Sequence, residues 1–342
     1  MIARNVSPDA NEPNDSEFTK SLVIGVIFPN KKIDHLRNIL NEDHHNIRFQ
    51  LIDLTDDIRE PRDLIQKYGQ LDAILHKLAH DMVYAQNGDT NAQRRVDLIE
   101  LYSQTIGKKI PIIDALQNVQ VLTDRQRVCQ ILQEHALDKT NDAAYRVSKY
   151  YVVSSEEDFS ALKEAIQNQS LRLPLIAKSI EACASERSHF MSVITQVSQL
   201  KISQHTLLYQ EFINHSGRLF KGYVLGDRIQ VAERTSLPNM TKDCDIIDFD
   251  TQKPYPTASQ TSNLASAPSP NPEVITQRIR AIGRSIQKRF DVSLFGFDVI
   301  ISDTDGEFYV IDVNYFPSYK EMDDFDSALR QHIHAVIRQY TS

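Results

Sequence analysis

Residues 295–319, FGFDVIISDTDGEFYVIDVNYFPSY, place three polar side chains, Asp298, Asp312 and Asn314, inside two otherwise apolar strand-like runs. Side chains alternate along a strand, so Phe308, Val310, Asp312 and Asn314 are expected on one face and Tyr309, Ile311 and Val313 on the other. A three-residue turn, Thr304, Asp305 and Gly306, with the glycine left-handed, pairs residue 303 with 307 and sets Asp298 opposite Asp312. Opposed Cβ atoms lie only about 5 Å apart, and two carboxylates so placed repel unless positive charge sits between them. A divalent cation is the simplest such charge. The candidate ligands are all oxygens, Asn314 adding a carbonyl, and no Cys or His is near, which suits magnesium rather than zinc. The plainer alternative is that Asp298 caps a strand end and Asp312 to Asn314 open a loop.

Lysines stand where apolar strands should stay neutral: Lys77 closes LDAILHK, Lys178 closes LPLIAK, and Lys221 interrupts LFKGYV. One such lysine reads as a strand end whose stem reaches water. Three of them, beside a carboxylate pair, fit the two halves of a phosphoryl-transfer site, where metal and lysines neutralise phosphate oxygens. ERTSLPN adds Arg234 and Ser236, while His189 in RSHFM taken alone reads as a surface residue. Neither GxxxxGK[ST] nor GxGxxG is present, so a nucleotide would bind without a Walker A loop or a Rossmann turn.

From residue 21 the chain alternates strand-like and helical runs: SLVIGVIF, KKIDHLRNILN, IRFQLIDL, DLIQKYG, LDAILHKL, RRVDLIELYSQTI and IPIIDA. Such alternation implies a parallel α/β layer. A second segment opens near Thr123, whose hydroxyl is placed to cap DRQRVCQILQEHAL; EEDFSALKEAIQNQ follows with Ser154 or Ser155 as its cap. LLYQEFIN and LFKGYVLGDRIQVAERTS, the latter turning at Gly226-Asp227, are antiparallel strands, and PEVITQRIRAIGRSIQKRF and MDDFDSALRQHIHAVIRQY are amphipathic helices. The class is therefore α/β, becoming α+β in the C-terminal half. KPYPTASQTSNLASAPSPNP, rich in Pro, Ser, Thr and Asn, reads as a mobile surface loop over 253–272.

At 342 residues and 41% hydrophobic, the chain has enough apolar surface for two or three domains. The first twenty residues lack a signal peptide's apolar core and read as a disordered tail, and LVIGVIF has only a buried strand's length, so no membrane insertion is expected. Cys129, Cys183 and Cys244 are too few and scattered for a disulfide framework, which fits the cytoplasm. A formal charge of -8 makes nucleic acid or an anionic membrane an improbable general partner and leaves room for a locally basic pocket that takes an anionic small molecule.

The segments LHK at 75–77, LTDR at 122–125, LRLPLIAK at 171–178, SHFM at 188–191, QEFINHSGRLFKGYVLGD at 210–227, RTSLPN at 234–239, LFGFDVII and YVIDVNYFPSY together resemble the inositol 1,3,4-trisphosphate 5/6-kinase, or inositol tetrakisphosphate 1-kinase, family. The resemblance runs in order from about residue 22 to 335 and is most specific over 210–227 and 295–319. It implies an ATP-grasp fold: an N-terminal parallel α/β domain over 21–115, a central subdomain over 116–225 and a C-terminal subdomain over 226–342. It implies ATP and magnesium, two ions, as cofactors and an inositol polyphosphate as substrate of a monomeric kinase. Residue by residue, it implies that Lys32, Lys77, His189 and Lys221 face the substrate's phosphates and that Arg125 and Lys178 hold those of ATP. Gln210, Glu211, Phe212 and Ile213 would offer backbone to adenine, with Ser236 near the nucleotide. Asp298, Asp312 and Asn314 match the magnesium ligands, Asn314 also lying near the inositol ring. Lys221, His189 and Asp312 would carry catalysis. Two departures stand out: Ala184 and Ser318 occupy positions where the family has glycine. A rival ATP-grasp chemistry would make an acyl phosphate and capture it with an amine, and a regulator would bind nucleotide without turnover. The lysine cluster argues against the first, and the presence of all three metal ligands, Asp298, Asp312 and Asn314, against the second.

Overall fold

In a computed structural model the described residues are 21–55, 57–105, 110–137, 143–258 and 271–341. The expected tail at 1–20 and most of the expected loop, 259–270, lie outside them. The first layer alternates as its sequence requires: β1 (Leu22–Ile27), α1 (Asn30–Asn41), β2 (Ile47–Leu51), α2 (Pro61–Tyr68), β3 (Ala73–His76), α3 (Ala79–Gln86), α4 (Thr90–Thr105) and β4 (Ile112–Ile113). Its strands run parallel in the order β2-β1-β3-β4. The helix α3 was not expected, because AHDMVYAQ is short and carries no strong apolar stripe.

Beyond it come α5 (Leu116–Val121), α6 (Arg125–Leu137), β5 (Tyr150–Val153), α7 (Glu156–Gln167), β6 (Leu175–Ser179), β7 (Phe190–Ile194), β8 (Leu207–Glu211), β9 (Arg218–Leu225), β10 (Arg228–Thr235), β11 (Ile247–Asp250), α8 (Pro272–Phe290), β12 (Leu294–Ile301), β13 (Phe308–Tyr315) and α9 (Phe325–Thr341). They build two antiparallel sheets, β11-β7-β6-β8-β5 and β10-β9-β12-β13. Ser155 caps α7 by accepting from Asp158 N–H, and Asn271 caps α8 with Pro272 at its first turn. The cap expected from Thr123 is supplied instead by Asp124, which accepts from Arg127 N–H at 3.1 Å, while the Thr123 hydroxyl donates back to Gln120 O.

A boundary at 225/226 does not survive. It would cut the hairpin of β9 and β10 at its own turn, where Leu225 pairs with Arg228, and all of β9 belongs to the C-terminal sheet. Conversely β11 returns to pair with β7 in the central sheet. The first residues of the expected mobile loop are also held, with Tyr255 against the Phe249 ring (centroids 5.1 Å) and Ala258 N–H donating to Ser236 O.

The hairpin of β12 and β13 corrects the strand-face assignment. Ser302 pairs with Glu307, one step out of the expected register, and Gly306 takes the left-handed φ of 69°. A bulge then inserts Ile311: Val299 pairs with Val310, yet Asp298 pairs with Asp312. Phe308 and Val310 therefore lie in the core, and so do Val313 and Tyr315, while Asp312 and Asn314 face the other way. With regular alternation through Ile311 in place of the bulge, both polar side chains would be driven into the core beside Phe308 and Val310. Behind this sheet the Phe297 ring fills a slot open because Gly222 and Gly283 carry no side chain; a Cβ on Gly222 would come within 2.2 Å of the ring.

Candidate active site

The outward face of the C-terminal sheet sets three charged residues side by side. Lys221 of β9 pairs with Asp298 of β12, and Asp298 with Asp312 of β13. The carboxylates do oppose each other, and a protein ammonium already relieves them: Lys221 Nζ donates to Asp298 Oδ1 at 2.9 Å. Burial opposes that charge on Lys221, but Asp298 outweighs it and raises the pKa. Asn314 Nδ2 donates to Asp312 Oδ2 at 2.7 Å, which leaves the amide oxygen for another partner. Burial pushes the Asp312 carboxyl upward, and Arg125, Lys178, the Asn314 amide and Lys221 outweigh it to hold the pKa below the usual carboxylate range. Asp298, Asp312 and Asn314 thus present only oxygen ligands from one sheet face, a donor set that fits a hard divalent cation such as magnesium.

Across the cleft, Lys178 of β6 donates to Gln210 Oε1 at 3.1 Å and to the carbonyl of Ile311 at 3.2 Å. The bulge is what frees that carbonyl from the ladder. Burial lowers the Lys178 pKa, with Asp312 opposing. Arg125, buried at the start of α6, donates through one terminal nitrogen to Ser179 O (2.8 Å) and Glu181 O (2.7 Å) and through the other to Ser188 O (3.1 Å). Its Nε is buried without a partner, and so is Nε2 of Gln210. Both residues line one cavity with the apolar Val128, Leu132, Leu208 and Ile311. Two orphaned donors against an apolar wall are what a purine nucleotide with its phosphates would satisfy.

Of the segment expected to meet adenine, Gln210 pairs with both Tyr150 and Ile176, and Glu211 turns its carboxylate to Arg172 N–H at 2.9 Å. Phe212 N–H donates to Pro174 O, so Ile213 N–H alone of these four has no hydrogen-bond partner among the described residues. Ser236 follows β10, its N–H bound to Gly217 O at 2.7 Å, and nothing joins its hydroxyl to the charged cluster among the described residues.

The N-terminal lysines arrive from the first layer. Lys77 donates to Phe316 O at 2.8 Å and Lys32 to Pro317 O at 2.6 Å, both just past Asn314. Burial, with Lys31 nearby, lowers Lys77 to about 8. Burial and Lys77 lower Lys32 to about 6, although the Phe316 ring centroid 4.0 Å from its ammonium favours the charge. Lys32 is only 7% exposed, so its direct contact with a substrate phosphate requires it to leave Pro317. His189 Nε2 lies 2.8 Å from Gln252 Nε2; burial lowers its pKa, Asp250 opposes, and Arg125 and Lys31 add to the lowering. Ser318 has no left-handed φ and tolerates its side chain, whereas Ala184 sits at φ 75°.

Ile311 and Gln210 were not expected in these roles. For Ile311 a signal existed: the apolar phase shifts from Phe308/Val310 to Val313/Tyr315, which is how a bulge appears in a sequence.

A parallel α/β layer followed by two antiparallel sheets that meet where Lys178 of one reaches the Ile311 carbonyl of the other defines an ATP-grasp protein. Solved structures agree: a D-Ala:D-Ser ligase from Enterococcus faecalis aligns over 94% of this chain and all of its own with a TM-score of 0.60 at 14% identity. A RimK-domain ATP-grasp protein from Sphaerobacter thermophilus aligns over 92% of this chain and 99% of its own with a TM-score of 0.55, also at 14% identity. At such identities the likeness concerns the fold. Residues 140–335 match the inositol 1,3,4-trisphosphate 5/6-kinase ATP-grasp domain, and the chain belongs to that family. Inositol-tetrakisphosphate 1-kinase 1 of Arabidopsis thaliana is 28% identical, covering 80% of this chain and 83% of its own, and inositol-tetrakisphosphate 1-kinase of Danio rerio is 28% identical, covering 94% and 80%.

Proposed function

We infer that the protein is an ATP-dependent kinase that moves the γ-phosphoryl group of ATP to a hydroxyl of an inositol polyphosphate. The observation that carries this reading is the convergence of Lys77, Arg125, Lys178 and Lys221, from separate parts of the chain, on the strand segment that holds Asp312 and Asn314. Arg125 and Lys178 hold the nucleotide's phosphates, and their orphaned or carbonyl-bound donors turn to it. Lys77, with Lys32, His189 and Asn314, takes the acceptor's phosphates from the opposite side. Asp298, Asp312 and Asn314 would hold magnesium, two ions in this reading, which neutralises phosphate oxygens. Lys221, which donates to Asp298 Oδ1, would neutralise the charge of the transferred group from the same sheet face. Catalysis of this kind is mostly positioning and neutralisation. The three free thiols and the local rather than global positive charge fit a monomeric cytoplasmic enzyme acting on a small anion; no described helix is long and apolar enough to cross a membrane.

The test is ADP release with product analysis against a panel of inositol phosphates and, in parallel, amino acids and dipeptides. Inositol polyphosphates should gain one phosphate in step with ADP. Turnover only with a carboxylate and an amine together would overturn the reading in favour of a ligase.

A further inference from the structure

The loop from Ile180 to His189 follows β6 directly, and its backbone carries two of the three carbonyls that hold the Arg125 guanidinium, Glu181 and Ser188, while Ser179 at the end of β6 supplies the third. It is fastened to the N-terminal layer by α3. Tyr84 Oη donates to Ala184 O at 2.9 Å, and Asn87 Nδ2 donates to Glu181 Oε1 at 3.0 Å. Ser185 Oγ donates to the other oxygen of Glu181 at 3.0 Å. The residue Tyr84 grips is the one with a left-handed backbone, Ala184 at φ 75°, a conformation that costs a residue with a Cβ about 1 kcal/mol and that glycine adopts freely. The same helix begins two residues after Lys77.

We propose that Tyr84, assisted by Asn87, is a positioning residue for the nucleotide. Its hydroxyl holds Ala184 in the left-handed conformation and thereby fixes the loop whose carbonyls aim Arg125 at the phosphate end of the cleft. Helix α3 therefore links the acceptor lysine Lys77 to the nucleotide loop. Tyr84 is 41% exposed and its ring is not needed by the core, so removing the hydroxyl alone is a clean perturbation. The assignment of Arg125 to the nucleotide rests on the function proposed above, and nucleotide affinity reads it without any acceptor.

The experiment is calorimetric titration of Mg·ADP into the full chain, comparing the parent with Tyr84→Phe, Ala184→Gly and the double variant. Losing one neutral hydrogen bond that holds a binding loop should weaken the affinity of Tyr84→Phe about three- to tenfold. In the Ala184→Gly background, where the left-handed residue needs no help, the same change should weaken it less than twofold. A loss of equal size in both backgrounds, an unchanged affinity, or a tighter one would overturn the proposal. An inactive parent together with the expected coupling would count against the kinase reading and leave the role of Tyr84 standing.

Discussion

Asp312 is the residue on which the account turns, because it faces one carboxylate and three cations. From the sequence alone its only charged neighbour is Asp298, so Asp312→Asn would be expected to relieve repulsion and hold or raise stability without metal. The structure reverses that sign. Arg125, Lys178 and Lys221 hold the carboxyl below its usual range, so Asn would leave buried Lys178 and Arg125 without their counter-charge. Asp312→Asn should abolish most metal-dependent turnover and also lower stability in the absence of metal and nucleotide, on the order of 3 kcal/mol in urea at neutral pH. Stability that holds or rises would mean that the repulsion dominates after all. The chemical type of the carboxylates could be read from the hairpin, but their pairing matched only because two departures cancel: the turn is one step out of the expected register and the bulge at Ile311 restores it. Lys221 as the partner of Asp298 could not be read, since it lies 77 residues upstream and no local rule brings it alongside.

At the scale of the elements, helices with caps and strands with turns were legible and the phase of one strand was not. The helix from Pro272 to Phe290 has the bounds its sequence suggests, because Asn271, Pro272 and the apolar stripe all agree. The near-continuous apolar run of β13 obscures the bulge, which shows only as the shift of apolar phase from Phe308 and Val310 to Val313 and Tyr315 around the polar Asp312 and Asn314. The joint between the parallel layer and the C-terminal sheet was also illegible, since it is made of buried polar residues scattered in sequence. Asp114, after β4, accepts from Leu294 N–H (3.0 Å) and from Ser293 Oγ (2.6 Å), and Ser293 Oγ lies 2.7 Å from His332 Nε2 of α9. Burial lowers His332 to about 4, so the folded protein keeps it neutral while the unfolded chain protonates it near 6.5. The unfolded state then binds more protons between these values, and stability is lost as pH falls from about 6.5 to about 4. His332→Gln keeps a donor for Ser293 and cannot titrate. Its stability should fall less across that window than the parent's, by up to about 3 kcal/mol in chemical denaturation at a series of pH values. Parallel pH profiles for the two proteins would show that His332 does not contribute.

The first and last described segments are held in register by buried contacts, and Lys77 of the first layer reaches the strand end just past Asn314. Arg330 of α9 is fully buried, donates to the carbonyls of Ile39, Glu42, His44 and Ile47 at 2.8–3.0 Å, pairs with Asp326, and lies over the Phe49 ring. Arg330→Met strips the end of α1 of its donors and should lose about 3–5 kcal/mol in urea, with Arg330→Lys a poor rescue because an ammonium cannot span four carbonyls. A loss under about 1 kcal/mol would show that the two segments are held by apolar packing alone. The consequence for function is that Lys77 and Lys178 reach the cleft from different sheets and should fail differently, which is the most direct test of a kinase with separate nucleotide and acceptor sites. The measurement is the pair of Michaelis constants, for ATP and for an inositol polyphosphate, in Lys178→Ala and Lys77→Ala. Lys178→Ala should raise the constant for ATP. Lys77→Ala should leave ATP nearly unchanged and raise the constant for the inositol phosphate roughly ten- to a hundredfold, the loss of one charge-assisted contact to phosphate. Because Lys77 is lowered to about 8, the parent's affinity for the acceptor should also weaken above that pH, and the variant's should not. A Lys77→Ala enzyme that keeps the parent's constant toward every inositol phosphate, or that loses ATP instead, would contradict the account.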